Sequence, residues 1–435
     1  MNEQQRQGIR QILEHELRPA MGCTEPIAVA YTAALARTLL GRMPEHMQVD
    51  CSGNIVKNVK GVTVPNSGGR KGIDTAAVMG VISGRSDLEL EVLNVVTPQD
   101  MEEVERLKAQ GFCECRLIEG VPNLYVQVTV TGGGESAVVA IQDAHTNIVK
   151  KVKNGQVLFE KEQLQAGDLY TMEKEYLNIH DILEFGETEP VEDLRSLLEE
   201  QCRDNWNVAM EGLSKPYGAG VGYTLMANRK EGDLRTYCKA AAAAGSDARM
   251  NGCALPVVIN SGSGNQGITV SVPVMVYARE TGCGEEKMYR ALAISNLLAI
   301  HQKKYIGKLS AYCGAVSAAS AAGAAIAWLR GGDEETVANV LVNALVNDGG
   351  ILCDGAKASC AAKIASGLEA AFLAVDLAEK GYRFPDGEGL CAASAEDTLR
   401  RVGYVARVGM ASTDVEILKI MTGQTQVDED QGVSC

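Results

Sequence analysis

The chain has 435 residues, 46% of them hydrophobic but only 5% aromatic, and its formal net charge is −15. This length and apolar content predict two or three domains with a sizeable core. The negative charge argues against nucleic acid and anionic membranes as partners, and the scarcity of aromatic residues argues against a surface that stacks bases.

The cellular location is predicted from the first residues and from the cysteines. Residues 1–18 are polar and charged without an apolar stretch, so no secretory signal is expected. The apolar stretch 315–329 is too short to cross a bilayer. Thirteen cysteines, an odd number, argue against a disulfide scaffold and favour metal binding or catalysis for some of them. We therefore expect a cytoplasmic protein.

The first half of the chain mixes helical and strand patterns. Helices are predicted at 4–18, at 27–40 with Thr24 as the N-cap, at 74–82, and at 98–110 with Thr97 as the N-cap. Strands are predicted at 89–96, 115–118, 124–131, 135–142 and 149–158, and β-branched stretches occupy much of 47–64. These patterns indicate an α+β domain over residues 1–190.

Beyond an acidic linker at 187–193, helical patterns dominate. They cover residues 191–210, 233–244, 285–306, 314–330, 334–346 and 361–379. His301, which is followed by Lys303 and Lys304, is expected on a helix surface. The fold class is therefore predicted as an α+β N-terminal domain followed by a mainly α-helical C-terminal domain over residues 191–435.

Three cysteines stand out by their surroundings. Cys313 opens a helix of very small residues, and Cys353 and Cys360 lie in a glycine-containing segment one helix further on. A helix hairpin of this length would bring Cys313 back beside the Cys353 segment. Thiolates are soft ligands that bind iron–sulfur clusters. The spacing alone leaves buried helix cysteines and a zinc site open, although the paired short spacings of structural zinc sites are absent.

Several sequence blocks resemble one family along almost the whole chain. These blocks are residues 21–26 (MGCTEP), 54–60 (NIVKNVK), 64–75 (VPNSGGRKGIDT), 143–147 (DAHTN) and 254–267 (ALPVVINSGSGNQG). In the first four blocks the chain resembles the iron–sulfur L-cysteine desulfidases, and the fifth block resembles a segment of the bacterial iron–sulfur L-serine dehydratases, to which the desulfidases are similar. The resemblance implies a 4Fe-4S cluster held by Cys313, Cys353 and Cys360, with one iron left open. It also implies that L-cysteine and water give pyruvate, ammonia and sulfide without pyridoxal phosphate.

The resemblance also points to Cys23 as the catalytic base. A free thiol has a pKa of about 8.5 and needs a helix N-terminus or a nearby cation to become a thiolate. The helix beginning beside Pro26 supplies the N-terminus, whereas Glu25 acts against it. The alternative is a cysteine that only packs between two helices.

Two polar loops are expected to hold the substrate. The residues proposed for this role are Asn66, Ser67, Gly68, Arg70 and Lys71 in the first loop, and Asn260, Ser261, Ser263 and Asn265 in the second. The first loop offers backbone donors and two cations for a carboxylate, and its alternative is a surface turn. His145 is a further candidate for binding substrate or carrying a proton. Cys435 is a candidate for capping the open iron, with a chain end of no function as the alternative.

Two other functions remain open from the sequence. An L-serine dehydratase of the same cluster type would eliminate hydroxide, but those enzymes carry Ser-Ser-His-Thr where this chain has residues 22–25 (GCTE), which favours cysteine. A non-catalytic iron–sulfur sensor is the second alternative, against which the negative charge and the lack of a basic helix–turn–helix argue. The expected partner is a small amino-acid substrate, without nucleic acid or membrane, and a homodimer is compatible with these patterns.

Overall fold

A six-stranded mixed sheet forms the middle of the first half of the chain. The computed structural model describes residues 1–161, 177–307 and 309–425. Helix α1 (Glu3–Glu16) and the short strand β1 (Pro19–Met21) precede the sheet. The sheet consists of β2 (His46–Cys51), β3 (Cys113–Leu117), β4 (Tyr125–Gly132), β5 (Glu135–Gln142), β6 (Ile148–Lys153) and β7 (Gln156–Glu160). Their order is β3-β2-β4-β5-β6-β7, with β2 and β3 parallel and the other neighbours antiparallel.

Four helices accompany this sheet. They are α2 (Thr24–Leu40), α3 (Gly53–Lys60), α4 (Ile73–Ile82) and α5 (Pro98–Ala109). Helix α2 packs against β4 and β5, and α4 packs against α2 and α5. In β4 the alternate residues Val126, Val128 and Val130 are buried, because successive side chains of a strand point to opposite faces. Helix α2 is thereby fixed against the sheet.

The second half of the chain is a helical assembly. Its helices are α6 (Ile179–Thr188), α7 (Val191–Ser214), α8 (Val221–Ala227), α9 (Leu234–Met250), α10 (Gly264–Thr281), α11 (Glu285–Ile306), α12 (Gly314–Leu329), α13 (Glu334–Asp348), α14 (Cys360–Ala378), α15 (Ala395–Tyr404) and α16 (Ala411–Thr422). A short strand β8 (Pro256–Val258) precedes α10, and a π-helical turn (Val405–Gly409) joins α15 to α16. Runs of buried small residues in α9 and α12 let each of these helices pack closely against α14.

The first helix belongs to the helical core, although it precedes the sheet in the chain. Ile9 and Leu13 of α1 are buried in that core. Arg6 and Arg10 form ion pairs with Glu189, which is fully buried at the end of α6. Strand β1 then pairs with β8, so the segment just before Cys23 is tied to the segment just before α10. The predicted domain boundary at residue 190 stays a prediction.

The predicted fold class is confirmed, since a region with a sheet is followed by a mainly helical part. Several individual elements also match, among them the strand 135–142, the helix 285–306 and the helix started by Thr97, whose side chain accepts from the N–H of Asp100. Among the described residues, none of the helices combines the length and the apolar character that a membrane span requires.

Other element predictions were wrong for identifiable reasons. The strand predicted at 89–96 is a 3₁₀ turn (Ser86–Glu91) followed by further turns. The strand predicted at 149–158 is a hairpin of β6 and β7, because Asn154 and Gly155 adopt positive φ and reverse the chain. Cys23, not Thr24, is the N-cap of α2. His301 and Lys303 are buried rather than on a helix surface, and His301 lies 2.8 Å from Glu396.

Candidate metal centre and active site

Two of the predicted cluster ligands, Cys313 and Cys353, lie side by side. An antiparallel bridge between Tyr312 and Leu352 joins the residues that precede them. The backbone N–H of Cys313 also donates to the carbonyl of Ile351 at 3.2 Å. Cys313 is the N-cap of α12, whereas Cys353 follows the bridge in a loop. Two thiols that are far apart in sequence therefore meet at one end of the helical assembly.

Cys360, the third predicted ligand, begins α14 and returns to the same place through a tight loop. Gly355 in this loop has a φ of +96°, and a side-chain carbon there would lie 2.5 Å from the carbonyl oxygen of Lys57. Only glycine lets the loop pass so close to α3. Cys360 packs against a small hydrophobic cluster that contains Cys23. The loop therefore places the third predicted ligand beside the predicted catalytic cysteine.

The three thiols also influence one another electrostatically. Burial raises the pKa of Cys313 to about 12, and the neighbouring Cys353 and Cys360 add to this shift. Burial likewise raises the pKa of Cys360, with Cys353 acting in the same direction. Neighbouring thiolates that repel each other become stable when they share a metal group. Three converging soft sulfur donors fit the ligand set of an iron–sulfur cluster.

One compact group of possible metal ligands lies away from these cysteines, at the start of α6. Within residues 1–161, 177–307 and 309–425, the only three ligand groups whose atoms all lie within 4.8 Å of one another are those of His180, Asp181 and Glu184. The thiols of Cys313, Cys353 and Cys360 do not form such a group in the structure.

A buried ion pair supports the Cys353 segment from the side of α3. Lys57 is 1% exposed, and its ammonium group pairs with Asp414 of α16. The same ammonium group donates to the carbonyl oxygen of Cys353 at 3.3 Å. Asn54 donates to the second carboxylate oxygen of Asp414 at 2.7 Å. The sequence analysis gave no role to Lys57, and the structure shows that residues of the 54–60 block contact the Cys353 segment directly and through Asp414.

Cys23 and Glu25 form a buried pair at the start of α2. The thiol of Cys23 donates to Oε2 of Glu25 at 2.9 Å. The same oxygen accepts from the hydroxyl of Thr24 at 3.1 Å, and Oε1 accepts from Asn58 at 3.2 Å. The carboxylate is therefore surrounded by donors, which compensates part of the cost of burying its charge.

Charges around this pair act in opposite directions. Burial raises the pKa of the Cys23 thiol well above its ordinary value, Glu25 adds to this, and Arg249 opposes it. Burial also acts to raise the pKa of Glu25, but His145, the Cys23 thiol and Arg249 outweigh it and hold that pKa below its ordinary value. The helix N-terminus alone therefore does not make Cys23 a thiolate, and the pair consists of a thiol and a carboxylate.

Two loops from different parts of the chain close over this pair. The carbonyl oxygen of Gly262 accepts from the hydroxyl of Thr24 at 3.0 Å. The ring of His145, which is buried, packs against Gly262. The DAHTN block and the 254–267 block therefore meet at the start of α2.

The second predicted substrate loop is stabilised mainly by its own polar side chains. Asn260 donates to the backbone and the side chain of Asn296, and it accepts from the hydroxyl of Ser261 at 3.0 Å. The hydroxyl of Ser263 caps α10 by accepting from the N–H of Gln266. Asn265, in the first turn of α10, contacts the sulfur of Met250 through its amide nitrogen. Their roles in substrate binding stay predictions.

The side chains of the first predicted substrate loop are held by neighbours elsewhere. Asn66 donates to the carbonyl oxygen of Leu93 at 2.9 Å, and Arg70 pairs with Glu105 of α5 at 2.6 Å. Ser67 is buried within the turn, whereas Gly68 and Lys71 are exposed at the surface. A role of this loop in binding substrate stays a prediction.

Arg249, at the end of α9, is a site residue that the sequence analysis missed. It is 3% exposed, and its guanidinium group lies against Gly264 at the start of α10. Its charge reaches both Cys23 and Glu25. The sequence did contain a sign that this arginine is buried, because Arg249 lies near the end of a helix whose residues 240–245 are alanine and glycine. A cation on such a tightly packed helix is buried and requires a partner.

Four helix N-termini surround the thiols. Thr24 at the start of α2 bonds to Gly262 just before α10, and Gln266 of α10 packs against Gly314 at the start of α12. Helix α14 begins beside Cys23. Helix N-termini carry partial positive charge and unpaired N–H groups, which favour anions. A chain with a net charge of −15 thus creates a locally positive site.

A separate cavity of about 790 Å³ lies between α3, the β3–β4 connection and α16. Lys57 and Asp414 line this cavity, so it borders the ion pair that contacts the Cys353 segment. Neither Cys23 nor any of the three predicted cluster ligands lines this cavity. It is therefore distinct from the candidate site. Cys435, the predicted cap, lies outside the described residues.

Comparisons with known proteins identify the family of this chain. A protein named UPF0597 from Lachnoclostridium phytofermentans is 47% identical over 410 residues, covering 94% of this chain and 98% of the relative. UPF0597 proteins of Treponema denticola and Bacteroides fragilis are 45% and 38% identical, covering 94% and 97% of this chain and 96% and 99% of theirs. The family profile described as serine dehydratase alpha chain matches residues 87–419. The chain therefore belongs to the serine dehydratase alpha-chain family, which confirms the resemblance to iron–sulfur serine dehydratase-like proteins.

Proposed function

We propose that this protein is an iron–sulfur lyase that eliminates sulfide from L-cysteine and releases pyruvate, ammonia and hydrogen sulfide. The observation that carries the proposal is the convergence of Cys313, Cys353 and Cys360 beside the Cys23–Glu25 pair. Membership in the serine dehydratase alpha-chain family supports elimination chemistry on a small amino acid.

The three converging cysteines are the residues that would hold a 4Fe-4S cluster. Such a cluster, with three protein thiolates, supplies an open iron that acts as a Lewis acid toward a carboxylate and a leaving group. Lys57 and the helix N-termini around the thiols supply positive charge for thiolate ligands. Lys363 adds a further cation, since its ammonium group donates to the carbonyl of Leu352 at 2.6 Å.

In this proposal the Cys23–Glu25 pair moves the Cα proton. The thiol proton of Cys23 passes along its hydrogen bond to Oε2 of Glu25, and the resulting thiolate takes the proton from Cα. The Cα–H electrons form the Cα–Cβ double bond as the Cβ–S bond breaks. The protonated Glu25 returns its proton to the departing sulfide. The enamine product tautomerises to an imine, and water hydrolyses it to pyruvate and ammonia.

A second candidate is the elimination of water from L-serine by the same residues. The description of the matching family as serine dehydratase favours it. The placement of a thiol at position 23, beside Glu25 and Cys360, supports the cysteine reaction, because that stretch is the one that differs from the dehydratase pattern.

The test compares both substrates with anaerobically isolated protein. Pyruvate and sulfide are measured with L-cysteine, and pyruvate alone with L-serine. We expect turnover of L-cysteine at a higher kcat/KM than L-serine, and its loss in Cys353→Ala but not in the control Cys202→Ala, a buried cysteine of the helical core. Faster turnover of L-serine would select the second candidate. Turnover of neither substrate by protein with a full complement of iron would refute the lyase and favour a sensor.

A further inference from the structure

Three buried polar atoms at the start of α10 have no hydrogen-bond partner within the described residues. They are Nε of Arg249, Oδ1 of Asn265 and Oε1 of Gln266, and each side chain is at most 7% exposed. Buried polar groups in folded proteins are nearly always hydrogen-bonded, so each exception calls for an explanation. Three exceptions on neighbouring side chains indicate one shared cause.

The fold keeps these three side chains together. A side-chain carbon at Gly264 would lie 2.3 Å from Nε of Arg249, so glycine at the first position of α10 is what allows the guanidinium group to lie there. Asn265 and Gln266 follow directly in the same turn. Gln266 in turn packs against Gly314, the residue after Cys313. The group therefore lies between the Cys23–Glu25 pair and a predicted cluster ligand.

The negative charge of Glu25 does not by itself explain why the guanidinium group of Arg249 is buried here. Among the described residues, the hydrogen-bond contact of its guanidinium group is to the sulfur of Met250 at 3.8 Å, a weak acceptor. Glu25 is instead bonded to Cys23, Thr24 and Asn58. A buried guanidinium fork without a carboxylate of the protein is well suited to a carboxylate supplied by a ligand.

The unpartnered atoms are of two opposite kinds. Arg249 offers a cationic donor next to the N-terminus of α10, and both favour an anionic carboxylate. Asn265 and Gln266 offer amide oxygens, which accept hydrogen bonds from an ammonium group. We propose that Arg249, Asn265 and Gln266 form a binding site for a zwitterionic α-amino acid, with its carboxylate on Arg249 and its ammonium group on the two amide oxygens. This deepens the proposed function by assigning the residues that select its substrate class, and it rests on that function only for the chemistry that follows binding.

Binding can be measured without turnover. The probe is L-alanine, which carries both charged groups but has no leaving group at Cβ. Isothermal titration calorimetry on anaerobically isolated protein compares it with ethylamine, which lacks the carboxylate, and propanoate, which lacks the ammonium group. We expect L-alanine to bind at least tenfold more tightly than either analogue. Equal affinity for ethylamine, or no binding of L-alanine, would overturn the proposal.

Variants locate the site. Arg249→Met is expected to weaken L-alanine binding at least tenfold, and Arg249→Lys, which keeps the charge, is expected to weaken it less. Gly264→Ala, which displaces Nε of Arg249, is expected to reduce affinity as well. The matched control is Arg37→Met, because Arg37 donates to the carbonyls of Val81 and Ile82 away from the site. The affinity of this variant for L-alanine is expected to stay within twofold of wild type.

The outcomes separate this inference from the proposed function. Unchanged L-alanine affinity in Arg249→Met and Gly264→Ala, with circular dichroism spectra like the wild type, would overturn the inference even if pyruvate is formed from L-cysteine. Arg249→Lys and Gly264→Ala carry the test if Arg249→Met does not fold. Binding that depends on Arg249 in a protein that forms no pyruvate would support the inference and refute the lyase.

Discussion

A thiol and a carboxylate are buried together at Cys23 and Glu25, in a place where two apolar residues would be simpler to accommodate. Removing a carboxylate from water is costly, and the donors from Thr24 and Asn58 offset only part of that cost. Buried groups held in this way next to further titratable side chains are typical of catalytic sites. The burial of the pair is consistent with the proposed proton transfer at Cα.

Replacing Cys23 by alanine separates catalysis from packing. We expect Cys23→Ala to lower kcat for L-cysteine by about 10²–10⁴-fold, because a general base contributes on this scale. Iron content is expected to stay at the wild-type level, since the proposed ligands are Cys313, Cys353 and Cys360. Glu25→Gln is expected to lower kcat as well. A Cys23→Ala variant with wild-type kcat would show that this cysteine only packs between helices.

Asp348, at the end of α13, gives a prediction for stability as a function of pH. Burial raises its pKa from an ordinary 3.8 to about 8, and one of its oxygens has no partner within the described residues. Because the folded-state pKa lies above the unfolded one, the native state binds the extra proton. The stability contributed by the neutral form is present below about pH 4 and is lost as the pH rises through about 8.

The corresponding variant is Asp348→Asn, which cannot ionise. We expect the difference in unfolding free energy between Asp348→Asn and wild type to increase in favour of the variant from about pH 5 to about pH 8.5, as measured by urea unfolding. The control is Asp397→Asn, because Ser394 and Arg400 hold the pKa of exposed Asp397 below its ordinary value, outside this range. A pH-independent difference for Asp348→Asn would contradict the assignment.

At the scale of elements, α3 and α16 clamp the segment that carries Cys353. Lys57→Met leaves Asp414 without its cationic partner and removes the bond to the carbonyl of Cys353. We expect a loss of about 3 kcal/mol in unfolding free energy, together with faster loss of iron to a chelator. The control Lys419→Met removes an exposed pair with Glu416, and its effect is expected within about 0.5 kcal/mol. Equal effects of the two variants would show that the clamp has no role.

The loop before α14 gives a second prediction at this scale. Gly355 and Gly381 both have positive φ, but only Gly355 lies against another element, the carbonyl oxygen of Lys57. Both alanine variants carry backbone strain, and Gly355→Ala must in addition push the loop away from α3. We expect Gly355→Ala to be about 2 kcal/mol less stable than Gly381→Ala and to bind less iron. Equal stability and iron content would contradict the close approach seen here.

At the scale of the whole molecule, the first residues of the chain connect the region with the sheet to the helical region. Helix α1 is part of the helical core, and β1 pairs with β8, so the segments before Cys23 and before α10 are fixed to each other. The sequence predicts α1 as a helix from its local pattern. It does not show that α1 packs against helices from the other half, because periodicity reports an apolar face but not the partner that covers it.

The same limit explains which elements and site residues the sequence revealed. Helix α11 was predicted over its full length because its pattern is long and regular, whereas α3 was hidden among the β-branched residues Ile55, Val56 and Val59. The hairpin argument already placed Cys313 near Cys353. Arg249 and Lys57 were missed, since their importance lies in contacts to residues distant in the chain.

The most direct test of the account is the metal content of the anaerobically isolated protein. We expect about four iron atoms and about four acid-labile sulfide ions per chain, together with the visible absorption of a 4Fe-4S cluster. Cys353→Ala is expected to lose the iron, the sulfide and the absorption. The control Cys202→Ala is expected to match the wild type. A wild-type protein that binds zinc or no metal under these conditions, or a Cys353→Ala variant with the full cluster, would contradict the claim that the three cysteines form one metal centre.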